Sequence, residues 1–322
     1  MRFIICVVAL VSFLGSTAAD AQAYPTRPIT VVIPFAGGSA SDVVSRIMLE
    51  KMSTALGQPI IVENRPGAGG NIGSASVARA APDGYTLLGA GSGPVAANVT
   101  LYKNLGYDPA KDLDIISPFA AFTIVVVASN TVPVNSLKEL IAYAKANPGK
   151  LNYGSVGVGS SQHLAGEYFE QLTGVKITHV PYRNIAQYGP DLIAGVVQLG
   201  FQWFPNVAAP ISAKGAKPLA VAGDSRLAAL PDTPTTTEAG LPEYKIAGWF
   251  ALSAPAGTPR PILERLNREL TAAINDPAVR DGFAKAGAQP MALPLDQSKK
   301  FLSDEIIRYR DIITKAGIPP IE

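Results

Sequence analysis

Residues 29–62, ITVVIPFAGGSASDVVSRIMLEKMSTALGQPIIV, decide the fold. The runs Ile29–Ile33 and Ile60–Val62 are short, apolar and rich in β-branched residues, which is typical of strands buried in a sheet. Between them, the segment 42–56 predicts a helix, because its apolar residues fall on one helical face: Val43, Val44, Ile47, Met48, Met52 and Leu56. A strand, a helix and a second strand in so short a segment predict a βαβ unit.

The same alternation continues along the chain. Further strands are predicted at residues 85–88, 124–128, 177–180, 196–201 and 219–222, and helices at 136–146, 162–172, 261–274 and 296–316. This order predicts α/β layers with largely parallel sheets. Because the C-terminal helices need a sheet to cover, we expect a discontinuous first domain, residues 24–125 and 246–322. Residues 126–245 would then be inserted as a second domain.

The first 23 residues differ from the rest of the chain. Arg2 precedes an apolar run from Phe3 to Leu14, and small residues follow as far as Ala21-Gln22-Ala23. About 12 apolar residues are too few to cross a bilayer, which needs about 20. We therefore expect a cleavable secretory signal peptide, residues 1–23, and an exported mature chain that begins at Tyr24.

Composition excludes several classes of function. The 322 residues carry 27 Lys and Arg against 25 Asp and Glu, a net charge of +2, without the basic patch of a nucleic-acid binder. Cys6 is the only cysteine, and His163 and His179 are the only histidines. This excludes a cysteine-based zinc site, an iron–sulfur cluster and a disulfide framework. We expect no metal ion and no cofactor.

The loop between the first strand and the first helix is a candidate anion site. Its adjacent glycines let backbone N–H groups approach a ligand at a helix N-terminus, where the helix dipole favours an anion. The alternative is a tight turn in which Ser41 or Asp42 is the N-cap. The candidate ligand-binding residues here are Phe35, Ala36, Gly37, Gly38, Ser39, Ser41 and Asp42.

A second loop of this kind follows the predicted strand at residues 151–153. Its glycines and serines offer neutral donors at the entrance of the next helix. The candidate ligand-binding residues are Gly157, Ser160, Ser161, Gln162 and His163. Taken alone, this loop is also compatible with a capped turn, and an alternative function is a secreted hydrolase that uses Ser160 or Ser161 with His163 as base.

Two strand ends add side chains to the candidate site. Tyr182 and Arg183 follow the strand at residues 177–180, at the end where open α/β sheets bind ligands, and Arg183 could pair with a carboxylate or form a surface ion pair. Gln202 and Trp203 end another strand, and Trp203 is harder to explain as core than Phe201. Ser92 is a further candidate, although its segment 91–96 lacks the helix needed for a dinucleotide site.

A further glycine-rich stretch, residues 62–73, follows the second predicted strand. No Gly-Lys-Ser/Thr sequence follows it, so it does not form a P-loop. We expect Glu63 and Arg65 to have a structural role there.

The chain resembles the Bug or TctC family, the substrate-binding proteins of tripartite tricarboxylate transporters. The resemblance covers nearly the whole mature chain and includes the Pro34–Asp42 loop with Arg46. Further matching segments are residues 24–29, 62–70, 82–87, 107–109, 159–167 and 179–182.

The resemblance implies a bilobal α/β protein of the type II periplasmic-binding fold, with a ligand cleft between two domains. It implies a monomeric, periplasmic, non-enzymatic protein that captures a small carboxylate for the membrane subunits of a tripartite transporter or for a sensor. In the family, the loop matching residues 34–42 holds one carboxylate, and the loop matching residues 157–163 contacts the rest of the ligand.

The chain departs from the family pattern at several site positions. Ser39 and Ser41 replace a usual glycine and threonine, Arg183-Asn184 replaces Lys-Gly, and Gln202 stands near a usual Asp. Loss of that carboxylate disfavours an amino group on the ligand. We expect a non-amino mono- or dicarboxylate, and Trp203 makes an aromatic acid compatible with the site.

Overall fold

The computed structural model describes residues 24–315 and 317–321. The predicted signal peptide, residues 1–23, lies outside the described residues. Within them, two β-sheets are covered by helices, as the predicted α/β class requires. In this part of the chain, no helix combines the length and apolar character that crossing a bilayer would require.

Each predicted strand and helix has a counterpart in the described residues, which also contain three strands and six α-helices that were not predicted. The strands are β1 (Ile29–Ile33), β2 (Ile60–Asn64), β3 (Thr86–Gly91), β4 (Leu113–Thr123), β5 (Val125–Ser129), β6 (Leu151–Ser155), β7 (Ile177–Pro181), β8 (Leu199–Gln202), β9 (Ala216–Val221), β10 (Ala247–Pro255) and β11 (Ala288–Pro290). The helices are α1 (Ala40–Leu56), α2 (Asn71–Ala78), α3 (Asn98–Leu101), α4 (Pro109–Asp112), α5 (Leu137–Ala146), α6 (Ser161–Thr173), α7 (Tyr188–Ala194), α8 (Phe204–Ser212), α9 (Arg260–Asn275), α10 (Pro277–Lys285) and α11 (Leu295–Lys315).

The β1–α1–β2 unit forms as the opening stretch predicts. β1 pairs in parallel with β2, with Ile29 opposite Ile60. Val44, Met48 and Met52 of α1 are fully buried in the core that includes β1. Gly57 ends α1 with φ +68, a left-handed conformation that glycine adopts without steric cost.

The two sheets define two lobes. The first lobe is built on a six-stranded sheet of order β11-β4-β10-β3-β1-β2, and the second on a five-stranded sheet of order β7-β6-β8-β5-β9. In the first lobe, β1 is parallel to β2 and β3, but β10 and β11 are antiparallel to their neighbours. In the second lobe, β6 is parallel to β7 and β8, whereas β5 is antiparallel to β8 and β9.

The prediction of largely parallel sheets is therefore wrong. The chain leaves the first lobe after β4 and returns to it in β10. These two strands lie side by side, and the returning strand runs antiparallel to the leaving one. β4 and β5 follow each other along the chain but lie in different sheets. Between β9 and β10 the chain passes back from the five-stranded sheet to the six-stranded sheet. The domain boundaries at residues 125/126 and 245/246 stay a prediction.

Candidate ligand-binding site

A cavity of about 230 Å³ lies between loops of the two lobes. The loops after β1 and β2 line it from the first lobe, and the loops after β6 and β7 from the second. The predicted site residues that line this main cavity are Phe35, Ala36, Ser39, Gly157, Tyr182 and Arg183. An inner compartment of about 10 Å³ shares Phe35, Ser39 and Val156 with the main cavity. It adds the predicted residues Ser41, Gln162 and Trp203.

Asp42 holds the loop after β1 in place through hydrogen bonds outside the two cavities. Its carboxylate accepts hydrogen bonds from the Gly38 N–H at 2.9 Å, from Arg46 Nε at 2.9 Å and from Asn64 Nδ2 at 3.0 Å. Burial would raise the pKa of Asp42, but these donors together hold it below its usual value. Asp42, Gly37 and Gly38 therefore shape the loop without lining either cavity.

The N-cap of α1 is Ser39, so the prediction of Ser41 or Asp42 at that position is wrong. Ser39 Oγ accepts a hydrogen bond from the Asp42 N–H at 3.5 Å. The helix begins earlier because Gly38 takes a positive φ of +78, which leaves Ser39 in the extended conformation that an N-cap requires. The Ser41 hydroxyl lies 2.9 Å from the Ser39 hydroxyl and shares a hydrogen bond with it.

His163 and Ser160 shape the loop after β6. Ser160 is the N-cap of α6, and its hydroxyl accepts a hydrogen bond from the His163 N–H at 3.3 Å. The imidazole of His163 accepts at Nδ1 from the Gly159 N–H, also at 3.3 Å. This bond requires an unprotonated Nδ1. Both residues are buried, and neither lines a cavity.

The two histidines are stacked beneath this loop. Their ring centroids are 4.2 Å apart, and His179 Nε2 lies 2.6 Å from the Ser155 hydroxyl, which in turn accepts from the Gly157 N–H. Burial lowers the pKa of His163. Burial and the neighbouring His163 lower the pKa of His179 to about 3. Both imidazoles are therefore neutral near pH 7.

Among the described residues, the structure does not show the serine–histidine hydrogen bond that the alternative hydrolase mechanism requires. That mechanism needs a serine hydroxyl hydrogen-bonded to an imidazole base. Ser160 instead caps a helix, and the Ser161 hydroxyl lies 3.0 Å from that of Ser92. Across residues 24–315 and 317–321, neither serine is hydrogen-bonded to an imidazole nitrogen. The same residues contain no group of three His, Cys, Asp or Glu placed to hold a metal ion.

Arg183 lies at the mouth of the main cavity. It follows β7, is exposed, and is the one charged side chain among the described residues that line this cavity. It has no hydrogen bond or ion pair to another residue of the described chain. Beside it, the Tyr182 hydroxyl donates to Asp191 at 2.7 Å. The guanidinium is thus free to bind an anion in the cavity.

Gln202 and Ser92 are both buried and make their hydrogen bonds within the protein. Gln202 donates from Nε2 to the Gly154 carbonyl at 2.8 Å and accepts from Asn206 Nδ2 at 2.9 Å. Ser92 accepts from the Tyr309 hydroxyl at 2.8 Å, and its bond to Ser161 joins the two lobes. Their predicted contact with ligand stays a prediction.

Trp203, which from the sequence is harder to explain as core than Phe201, belongs to the core as well as to the inner compartment. It is 4% exposed and packs against two aromatic rings of the first lobe. Its ring centroid lies 5.3 Å from that of Phe122 and 4.8 Å from that of Phe250. Trp203 lies just before α8 in the second lobe, so this packing brings the lobes together behind the cavity.

The loop after β2 lines the main cavity and was not among the predicted site residues. Pro66, Gly67, Ala68 and Gly69 face the loop after β6, and a Cβ on Gly69 would lie 2.1 Å from the Val158 carbonyl oxygen. The signal in the sequence was the glycine run, since Gly67 and Gly69 both have positive φ here. Glu63 and Arg65 form an ion pair away from the cavity, consistent with their predicted structural role.

Comparison with known proteins identifies relatives that match this chain over most of their length. Protein BugT of Bordetella pertussis is 36% identical over 299 residues, which is 92% of each chain. A UPF0065 protein from the TAR-I ttuE-ttuC′ intergenic region of Agrobacterium vitis is 37% identical over 320 residues, 98% of this chain and 92% of that protein.

Solved structures give the same picture. The periplasmic binding protein BugD is 32% identical with a TM-score of 0.88, over 92% of this chain and 100% of that one. An R. palustris protein solved with adipate is 35% identical with a TM-score of 0.89, over 92% and 100%. MatC from Rhodopseudomonas palustris, solved with malate, is 32% identical with a TM-score of 0.83, over 90% and 100%.

These likenesses confirm the bilobal periplasmic-binding fold and the resemblance that the motifs indicated. The model of the family described as tripartite tricarboxylate transporter family receptor, TctC, matches residues 44–318. The chain therefore belongs to the TctC family, whose Bug members are periplasmic solute-binding proteins.

Proposed function

We propose that this protein binds a small carboxylate, a mono- or dicarboxylic acid, in the main cavity and delivers it to the membrane subunits of a tripartite transporter or to a sensor. Arg183 carries the proposal. It is the single charged side chain among the described lining residues, and within the described chain it has no partner. A guanidinium in this state can form a bidentate pair with a carboxylate.

The backbone around the cavity also favours an anion. The helices α1 and α6 both begin beside it, after the N-caps Ser39 and Ser160. The partial positive charge of a helix N-terminus stabilises a nearby negative charge. No Asp or Glu is among the described residues that line the main cavity, so these walls offer no carboxylate to pair with a ligand amino group.

The body of the ligand meets apolar walls. Val156, Val158 and Ile185 line the main cavity on the second-lobe side, and Phe35 lines it on the first-lobe side. Such walls accept an aliphatic chain or an aromatic ring. Relatives solved with adipate and with malate support the carboxylate class for this chain.

Affinity would come from a few strong contacts and from closure of the lobes. Each charge-assisted hydrogen bond contributes about 1.5 to 3 kcal/mol, and a micromolar complex needs about 8 kcal/mol. We propose that residues 24–125 with 246–322, and residues 126–245, move as two domains about the crossover strands, so that the partner recognises the closed form. The protein would act as a monomer in the periplasm after export.

A thermal-shift screen tests the proposal. The mature chain from Tyr24 is mixed with aliphatic and aromatic carboxylates, and the acid that raises the melting temperature most is taken to calorimetry. Arg183→Gln should raise its Kd by about tenfold or more, because a charge-assisted pair is lost. Arg310→Gln on α11 is the matched control and should leave Kd unchanged. Failure of every carboxylate to raise the melting temperature, equal effects of the two substitutions, or turnover of the bound acid would contradict the proposal.

A further inference from the structure

The inner compartment is lined by two residues with unpaired polar atoms. Gln162 Nε2 and Oε1 and Trp203 Nε1 have no hydrogen-bond partner within the described chain. Both residues are buried, with 1% and 4% of their surface exposed, and both line this compartment. Buried polar atoms in folded proteins are nearly always paired. Their unpaired state therefore points to a partner that binds beside them.

The compartment accepts only a small, neutral group. Its volume of about 10 Å³ is close to that of one water-sized group, so the three heavy atoms of a carboxylate do not fit. None of its described lining residues is charged, and an ion there would lose its hydration without a counter-charge. The lining amide of Asn206, unlike that of Gln162, has a partner at both polar atoms, since it accepts from the Ala40 N–H at 3.2 Å and donates to Gln202 at 2.9 Å.

The unpaired atoms also define the hydrogen-bonding character of the group. Trp203 Nε1 and Gln162 Nε2 can only donate, whereas Gln162 Oε1 can only accept. A carbonyl or carboxylate oxygen accepts but does not donate, and it would leave Oε1 unpaired. A hydroxyl both accepts and donates, so it can serve both residues.

We infer that Gln162 and Trp203 determine specificity by binding a hydroxyl group of the ligand, and that the ligand is a hydroxycarboxylate. The inference rests on the proposed binding of a carboxylate in the main cavity. The compartment shares Phe35, Ser39 and Val156 with that cavity. The two cavities therefore adjoin, and in the inferred complex a hydroxyl on the body of the ligand occupies the compartment while the carboxylate binds Arg183 in the main cavity.

Matched pairs of acids that differ by one hydroxyl test the inference. Calorimetry compares malate with succinate, 3-hydroxybutyrate with butyrate, and 4-hydroxybenzoate with benzoate on the mature wild-type chain. For the pair that binds best, the hydroxy acid should bind at least about tenfold more tightly, equivalent to about 1.4 kcal/mol. Trp203→Phe and Gln162→Met should each reduce this preference, the ratio of the two Kd values, to about twofold or less, whatever change they cause in the Kd of the deoxy acid.

The second tryptophan supplies a matched control. Trp249 is as buried as Trp203, but its Nε1 already donates to Glu305 in the first lobe. Trp249→Phe should therefore leave the hydroxyl preference unchanged, and the wild-type comparison holds even if one variant fails to fold.

Three results would overturn the inference. Equal binding of hydroxy and deoxy acids would do so, as would a preference that survives both substitutions. A trapped water as the occupant would give no hydroxyl preference, and Trp203→Phe would then weaken the binding of both acids equally. In each of these cases carboxylates still bind, so the proposed function stands. If no carboxylate binds at all, the proposed function itself fails.

Discussion

Replacing Gly69 with alanine is expected to prevent the lobes from closing fully on a ligand. Gly69 belongs to the loop after β2, has φ +61, and faces the Val158 carbonyl of the loop after β6. An added Cβ would lie 2.1 Å from that oxygen, whereas Cβ atoms essentially never come within 3.0 Å of another heavy atom. The nearest atoms, the carbonyl oxygen and carbon of Val158, belong to the backbone and cannot rotate away as a flexible side chain can. The two loops must therefore separate by at least 0.9 Å.

The substitution has two energetic costs. One arises only when the lobes close, and the other is present in every folded conformation. The Tyr102 hydroxyl donates to the same carbonyl at 3.0 Å, and separation of the loops would break this bond, at a cost of about 0.5 to 1.5 kcal/mol. Lost packing between Gly69 and Gly157 adds to the cost of closure. Backbone strain of alanine at positive φ costs about 1 to 2 kcal/mol, but it is present in every conformation of the folded chain.

Gly149→Ala separates these two energies. Gly149 has φ +71 and no atom within 4 Å of an added Cβ, so it has the strain without the clash. Both variants should lower the melting temperature of the ligand-free protein to a similar extent. In calorimetry with the carboxylate identified by screening, only Gly69→Ala should raise Kd, by about tenfold. A Gly69→Ala variant that binds as tightly as Gly149→Ala would refute the reasoning, because closure would then not depend on contact between these loops.

Two further predictions concern the residues that shape the loops. The free energy of unfolding should fall as pH drops below about 6.5, by up to about 1.4 kcal/mol per pH unit for each histidine, because the unfolded chain takes up protons that the folded chain excludes. For His179 this loss continues to the folded pKa of about 3, so urea unfolding at several pH values should show a shallower pH dependence in His179→Phe; an unchanged slope would contradict it. Asp42→Asn should lower stability by about 1 to 3 kcal/mol and weaken ligand binding, because Arg46 and the Gly38 N–H lose their anionic acceptor. Thermal melts against Asp311→Asn as control check this, and equal melting temperatures would show that the loop does not depend on the carboxylate.

The elements that could be predicted from sequence are those whose pattern is local. β1, α1 and β2 follow from an apolar run, a helical face and a second run, each within one short segment. The pairing direction of β4 and β10 was not predictable in this way. These strands are far apart in the chain and meet because one leaves the first lobe and the other returns to it. Periodicity along a segment contains no information about which distant strand lies beside it.

The same limit applies to the candidate site. The loops after β1 and β6 were predicted because glycine and serine at a helix entrance are a local signal, and both line the cavities. The loop after β2 has a comparable glycine run, but its role depends on its contact with Val158 in the other lobe. The sequence predicts a ligand contact for Asp42, but it does not show that the Asp42 carboxylate accepts hydrogen bonds from Gly38, Arg46 and Asn64. Its contact with ligand stays a prediction.

The two lobes contribute to the cavities in different ways. Among the described residues that line the cavities, those of the first lobe are uncharged and, apart from Phe35, mostly small residues in the loops after β1 and β2. The second lobe supplies the free guanidinium of Arg183 and the unpaired polar atoms of Gln162 and Trp203. Backbone and small side chains can accept many anions, whereas in the proposed complex these three side chains would set the charge, position and hydrogen-bonding character of the ligand. If the proposed function holds, the choice of ligand would depend mainly on the second lobe, and the first lobe would close over the bound ligand.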